Sequence, residues 1–251
     1  MAQRYGTDFT TGSIPKKLLL FSLPFMASNM LQVVYSLVDM MIVGNFVGSN
    51  ALAAVNTSAL VIAFFTMICT GYEYGAQVYL SQLIGAGRKD RLNEAIGTVF
   101  STTIIMGVVV TLAILVFSRR ILTLLNTPAE SFDMALDYMR ICGGLIVFTY
   151  GYNLVSTLQR AQGDSKHPLI FILIASVINV VLDLLFTGYL GWGTRGAAAA
   201  TVIGQAVSFF VAIRFLFRRR EQFGFDFKPS SFRVNRSVFA EIAKLGSANV
   251  V

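Results

Sequence analysis

Six long stretches of this chain are almost free of Asp, Glu, Lys and Arg, and no other feature of the sequence narrows the possible folds so far. Each is long enough to cross a hydrocarbon layer about 30 Å thick, which takes roughly 20 helical residues. Lipid offers no hydrogen bonds, so a spanning segment must satisfy its own backbone as a helix or within a closed barrel. The stretches lack the two-residue alternation of barrel strands, which leaves helices. Composition agrees: 55% of the 251 residues are hydrophobic, 13% are charged and the mean hydropathy is +0.67, more apolar surface than a soluble domain of this size can hide. The chain reads as an all-α integral membrane protein.

Helices are predicted over Leu18 to Val43, Ala54 to Ile84, Ala95 to Phe117, Ala135 to Thr157, Leu169 to Leu190 and Gly196 to Phe217, separated by Gly-, Asn- and Pro-rich breaks. The breaks are short, so neighbouring helices run antiparallel. Sixteen of the twenty Lys and Arg then fall on one side, among them Arg4, Lys16, Lys17, Arg88, Lys89, Arg91, Arg160 and Lys166, with the run from Arg214 to Lys244. Cytoplasmic loops retain positive charge, so the N-terminus is predicted to be cytoplasmic and the protein a multi-pass resident of the cell membrane. The formal charge of +7 matches anionic lipid headgroups beside helix ends and calls for no nucleic acid partner.

Enzyme chemistry is not indicated. The sequence holds no Walker loop, HExxH, GxSxG or CxxC, and Gly85 to Lys89 ends a helix instead of opening one after a strand. His167, the single histidine, precedes Pro168 and reads as a solvated turn residue; Cys69 and Cys142 fall inside helices and read as small core hydrophobes. No cofactor is implied. The first helix is too long for a signal-peptide core and is read as retained.

The polar residues inside apolar helices carry the functional information, because burying such groups in lipid is costly. Three are acids: Asp39, Glu73 and Asp183. Asp39 lies about 22 residues beyond Lys17 and Asp183 about 15 beyond Pro168, which at 1.5 Å per residue places both in the outer half of the membrane, able to share a pocket. Asn179 precedes Asp183 by four residues and shares its helix face, and Thr201 on the sixth helix offers a hydroxyl at similar depth. Carboxylate, amide and hydroxyl oxygens at Asp183, Asn179 and Thr201 suit sodium, while paired buried carboxylates also suit a proton, and the sequence does not choose between them. The plainer alternative is that these groups only tie helices together. Glu73, between Tyr72 and Tyr74, either lines a substrate path or pairs with a neighbour. Pro24 removes a backbone hydrogen bond from the first helix, making either a static kink or a hinge coupled to Asp39.

These residues also carry a resemblance. Pro24, Asp39 with Met41-Ile42-Val43-Gly44, and Gly48 with Ala51 to Ala54 resemble the first-helix signature of the multidrug and toxic compound extrusion (MATE) family. Gly75-Ala76-Gln77 with Ser81 to Gly87, Gln159 to Asp164 with Pro168, and Asn179 and Asp183 followed by Gly193 and Gly196 to Thr201 resemble later segments of the same family. The resemblance implies one lobe of a twelve-helix secondary active exporter. Such an antiporter expels cationic amphiphilic compounds in exchange for sodium or protons. It implies a cation site at Asp39, Asn179, Asp183 and Thr201, with Tyr138 and Asn153 nearby, and a first-helix bend at Pro24. Glu73 departs from the family, which has an uncharged residue there.

On that resemblance, residues 1–217 form the N-terminal six-helix lobe, 218–237 a cytoplasmic linker and 238–251 the start of a seventh helix. The second lobe is then missing from a protein about twice this length, as two-repeat transporters are built. A flippase for lipid-linked saccharides would share the topology but line its cavity with bases, whereas the intramembrane charges read as acidic. A membrane scaffold would have no use for Asp39 and Asp183.

Overall fold

The computed structural model describes residues 12–247, apart from the side chains of residues 89, 90, 221 and 222. Arg4 and residues 248–251 lie outside the described residues. Among those described the chain is helical throughout, with no strand. Five helices are long and apolar enough to cross a membrane singly: α1 (Ile14–Phe46), α2 (Ser49–Gly85), α3 (Lys89–Leu124), α6 (Lys166–Asp183), which continues through a wider π turn (Leu184–Tyr189), and α7 (Gly193–Arg218). A sixth span is broken: α4 (Ala129–Gly144) and α5 (Ile146–Ala161) meet at a 45° bend. The protein is therefore a multi-pass membrane protein.

The broken span was expected to be continuous from Ala135 to Thr157. The break falls after Gly143 and Gly144, which supply no side chain to hold helical backbone, and Leu145 leaves the helical region at φ −119°, ψ 20°. The other helices overrun their predicted limits. α2, for example, has 37 residues, about 55 Å at 1.5 Å per residue, so its ends project beyond a membrane.

One end of the bundle gathers the basic residues. There Ser81 near the end of α2 donates to the carbonyl of Ala161 at the end of α5 at 3.3 Å, and the Arg160 guanidinium lies 5.5 Å from the ring of Phe25 on α1. Past α7, a short helix α8 (Arg220–Phe223), a 3-10 turn (Pro229–Phe232) and α9 (Arg236–Ser247) fold back across this end. The return is held firmly. Ser101 on α3 donates to the carbonyl of Phe232 at 2.6 Å, Asn235 joins Glu94 and caps α9, and the rings of Phe100 and Phe225 stack 5.7 Å apart. At Gly97 the carbonyl of Ser231 comes so near that a Cβ would sit 1.7 Å from it.

The core is divided accordingly. One apolar cluster joins α2, α3, α5, α6 and α7 to the returning segment, a second packs α2 against α3, α4 and α5, and a third, around Val43, Val55, Tyr138 and Ala198, surrounds the far end of α1. α1 is the least enclosed helix: of its 33 residues only Ser28, Asp39, Ile42 and Val43 are buried. It runs on through Pro24, whose carbonyl accepts a hydrogen bond from Ser28 Oγ at 2.8 Å.

Two turn residues differ from expectation. His167 sits within the first turn of α6, partly covered, with Nδ1 2.6 Å from Asp164 Oδ2 and its ring 4.3 Å from that of Phe215. Arg160 was read as loop, leaving only acids within the membrane. It instead belongs to the last turn of α5, where its guanidinium donates to Thr157 Oγ1 at 3.4 Å and its charge acts on Glu73 of α2. The physical reason is that α5 runs to Ala161, so Arg160 sits on a helix, from which a long guanidinium stem reaches towards neighbouring helices.

Candidate cation site

Asp39 sits 25 residues into α1 and Asp183 ends α6, so both lie towards the end of the bundle opposite the basic one. The two helices pack directly against each other. Asp39 is 7% exposed and Asp183 fully covered, and their carboxyl groups lie close enough to interact. Asn179, one turn before Asp183 and also buried, donates from Nδ2 to Thr201 Oγ1 on α7 at 3.2 Å. Tyr138 on α4 lies beside Thr201, and its ring belongs to the apolar cluster around the end of α1. Four elements thus bring together five residues singled out in the sequence: Asp39, Tyr138, Asn179, Asp183 and Thr201.

Close approach of α7 to α6 makes this possible. Gly204 lies where a Cβ would stand 2.9 Å from the carbonyl of Ala175 and 3.3 Å from Cβ of Asn179. With Gly196, Ala200 and Gly204 at four-residue spacing, α7 presents a face without bulk, the usual means by which membrane helices touch closely. The sequence marks this face plainly, although not which helix it meets.

Three oxygens in this cluster are buried and accept no hydrogen bond: Asp39 Oδ1, Asn179 Oδ1 and Asp183 Oδ2. A buried polar atom left without a partner costs about 1–3 kcal/mol, so these three acceptors are open to a bound water or ion. No Lys, Arg or His is among the hydrogen-bonding partners of this cluster. The donor set is oxygen alone, with two acids: it fits a small hard cation, or a proton shared between the carboxyls. Among the described residues no group of three or more His, Cys, Asp and Glu could hold a metal ion, so any sodium here would rely on amide and hydroxyl oxygens as well.

The remaining predicted residues lie elsewhere. Asn153 is half-buried on α5, and among the described residues no hydrogen bond joins it to the cluster. Glu73, 2% exposed, accepts from the Cys69 thiol at 3.6 Å and faces the charge of Arg160, which makes a neighbour's partner of it and gives Cys69 a polar role beyond core filling. Pro24 stands 15 residues before Asp39, about 22 Å along the helix at 1.5 Å per residue. Two participants were missed in the sequence. Thr187 donates to Asp183 Oδ1 at 2.7 Å, and Tyr35, one turn before Asp39, lies beside it with Gln32 and Gln205 for neighbours. The four-residue spacing that pointed to Asn179 would have pointed to both.

Residues 24–185 match the model of the MatE family. The chain is 34% identical over 217 residues to the "Probable multidrug resistance protein YpnP" of Bacillus subtilis, covering 85% of this chain and 48% of that one. It is 25% identical over 240 residues to the "Multidrug export protein MepA" of Staphylococcus haemolyticus, covering 95% of this chain and 52% of the other. The chain thus spans about half the length of the curated relatives it matches. Among solved structures, a MOP superfamily transporter from Pyrococcus furiosus superposes with a TM-score of 0.86 at 24% identity, covering 94% of this chain and 52% of that one. A MATE protein in its straight conformation superposes with a TM-score of 0.84 at 25% identity, covering the same shares.

Proposed function

Because this chain belongs to the MatE family, we propose that it supplies one six-helix lobe of a secondary active multidrug exporter in the cell membrane, oriented with the basic end in the cytoplasm. The second lobe would come from the same protein, about twice this length. Its substrates would be cationic amphiphilic compounds, moved outward against sodium or protons moving inward. It acts as a transporter and not as an enzyme.

The observation that carries this reading is the set of unpartnered oxygens on Asp39, Asn179 and Asp183 around two acids with no base beside them. A cation entering there lies between α1 and α6, and Thr201, with Tyr138 behind it, offers the remaining oxygen. Occupied, the site draws α1 onto α6; empty, two like charges push the helices apart. Coupling then follows if the position of α1 decides which side of the membrane the drug path opens to, with Pro24 as the place where the helix bends. Glu73 and Asn153 stand outside this step.

The test uses the full-length transporter in proteoliposomes, with efflux of a fluorescent organic cation followed under separately imposed sodium and proton gradients. Gradient-driven efflux should fall by about 100-fold in Asp183→Asn while the protein remains folded, and the gradient that drives the wild type names the ion. Undiminished coupled efflux in that variant would remove Asp183 from the mechanism.

A further inference from the structure

At Asp183 the α-helix gives way to the six-residue π turn Leu184–Tyr189. Such turns are rare and recur at functional sites, because the wider loop re-aims side chains. Here it carries Thr187, 2% exposed, with Oγ1 2.7 Å from Asp183 Oδ1 and 3.4 Å from the carbonyl oxygen of Gly193. A hydroxyl has one proton to give, and the shorter contact to a carboxylate takes it. That donation engages Oδ1 and leaves Oδ2, the oxygen with no partner, for whatever enters the site. Gly196 on α7 closes over the arrangement, since a Cβ there would stand 3.0 Å from Thr187 Oγ1 and from the carbonyl carbon of Phe186. A side chain at position 196 would crowd the hydroxyl from that side.

We infer that Thr187 is a positioning residue of the cation site: its hydroxyl fixes the Asp183 carboxylate and determines which oxygen faces the coupling ion. The inference rests on the reading of Asp183 as part of that site. Gly193, whose carbonyl is the alternative acceptor, opens α7, so the same hydroxyl lies between the site and the turn that joins α6 to α7.

Full-length transporter in proteoliposomes, driven by whichever cation gradient drives the wild type, decides the matter in three variants. In Thr187→Val, which keeps shape and loses the hydroxyl, the half-saturating cation concentration should be displaced about tenfold, as expected for a lost hydrogen bond to a charged group, with the maximal rate kept within about twofold. Thr187→Ser should return it to within about twofold of wild type, which a purely packing role would not do. Wild-type behaviour in Thr187→Val, or an equal displacement in both Thr187 variants, overturns the role of the hydroxyl while leaving the cation site standing. Unaltered coupled efflux in Asp183→Asn overturns the site itself and this inference with it.

Discussion

The lobe buries acid in two places and treats it in opposite ways. Around Asp39 and Asp183 two carboxyls face each other among amide and hydroxyl groups, with three oxygens left unpartnered. Around Glu73 a single carboxyl faces the Arg160 guanidinium and takes the Cys69 thiol. At an effective dielectric of about 20, like unit charges roughly 4 Å apart repel by about 4 kcal/mol, the situation of the first centre, whereas the charge of Arg160 acts on Glu73 with the opposite sign from farther away. The Glu73 centre is complete without a ligand. On the proposed function, the aspartate centre is completed by positive charge arriving from outside, and that dependence is what would make a buried group useful for coupling instead of merely costly.

The largest effect should separate the two centres outright. Asp39→Asn, like Asp183→Asn, should lower gradient-driven efflux by about 100-fold, near the upper end of usual coupling free energies. Glu73→Gln should stay within about threefold of wild type in the same efflux assay, and an equal collapse there would erase the distinction. Next comes stability. Arg160→Gln leaves a buried Glu73 without a nearby base and should cost about 2–3 kcal/mol, read as a lowered unfolding midpoint in detergent, with most of it recovered in the double variant Arg160→Gln/Glu73→Gln. Asp39→Asn should not lower that midpoint, since it relieves repulsion. Gly204→Val should cost about 1–3 kcal/mol by forcing α7 off α6, and should weaken coupling along with stability because Asn179 and Thr201 sit on either side of the contact. The smallest effect is expected at the exposed pair of Asp137 and Arg195, 2.8 Å apart. Asp137→Asn should leave the melting curve unchanged, showing that an acid beside a base counts only when water is excluded.

Much of this could be read from the sequence, and the exceptions have physical causes. The spans were legible because about 20 apolar residues in a row have few other fates, and Asp39, Asn179 and Asp183 were legible because polar groups inside such runs are exceptional. The break at Leu145 was hidden: paired glycines cost a membrane helix little when neighbours repack around them, so they mark a possible bend without deciding one. The π turn was hidden for a related reason, since nothing in Leu184 to Tyr189 differs in composition from an ordinary helix end. Thr187 went unremarked because a hydroxyl can satisfy itself on the preceding turn of its own helix, as Ser28 does on the carbonyl of Pro24. Arg160 was misplaced because sequence position locates its Cα, whereas the charge lies several ångströms away along a flexible stem.

The sparse burial of α1 has a mechanical consequence. Within this lobe three of its four covered residues, Asp39, Ile42 and Val43, fall in its last eight positions, so the helix is most firmly enclosed near one tip and lies along α6 with little cover over the rest. From Asp39 back to Ile14 is 25 residues, an arm of about 37 Å at 1.5 Å per residue, along which a tilt of roughly 5° at Asp39 sweeps the far tip through about 3 Å. A sub-ångström rearrangement of oxygens around an arriving ion would be magnified into a displacement large enough to open or shut a passage.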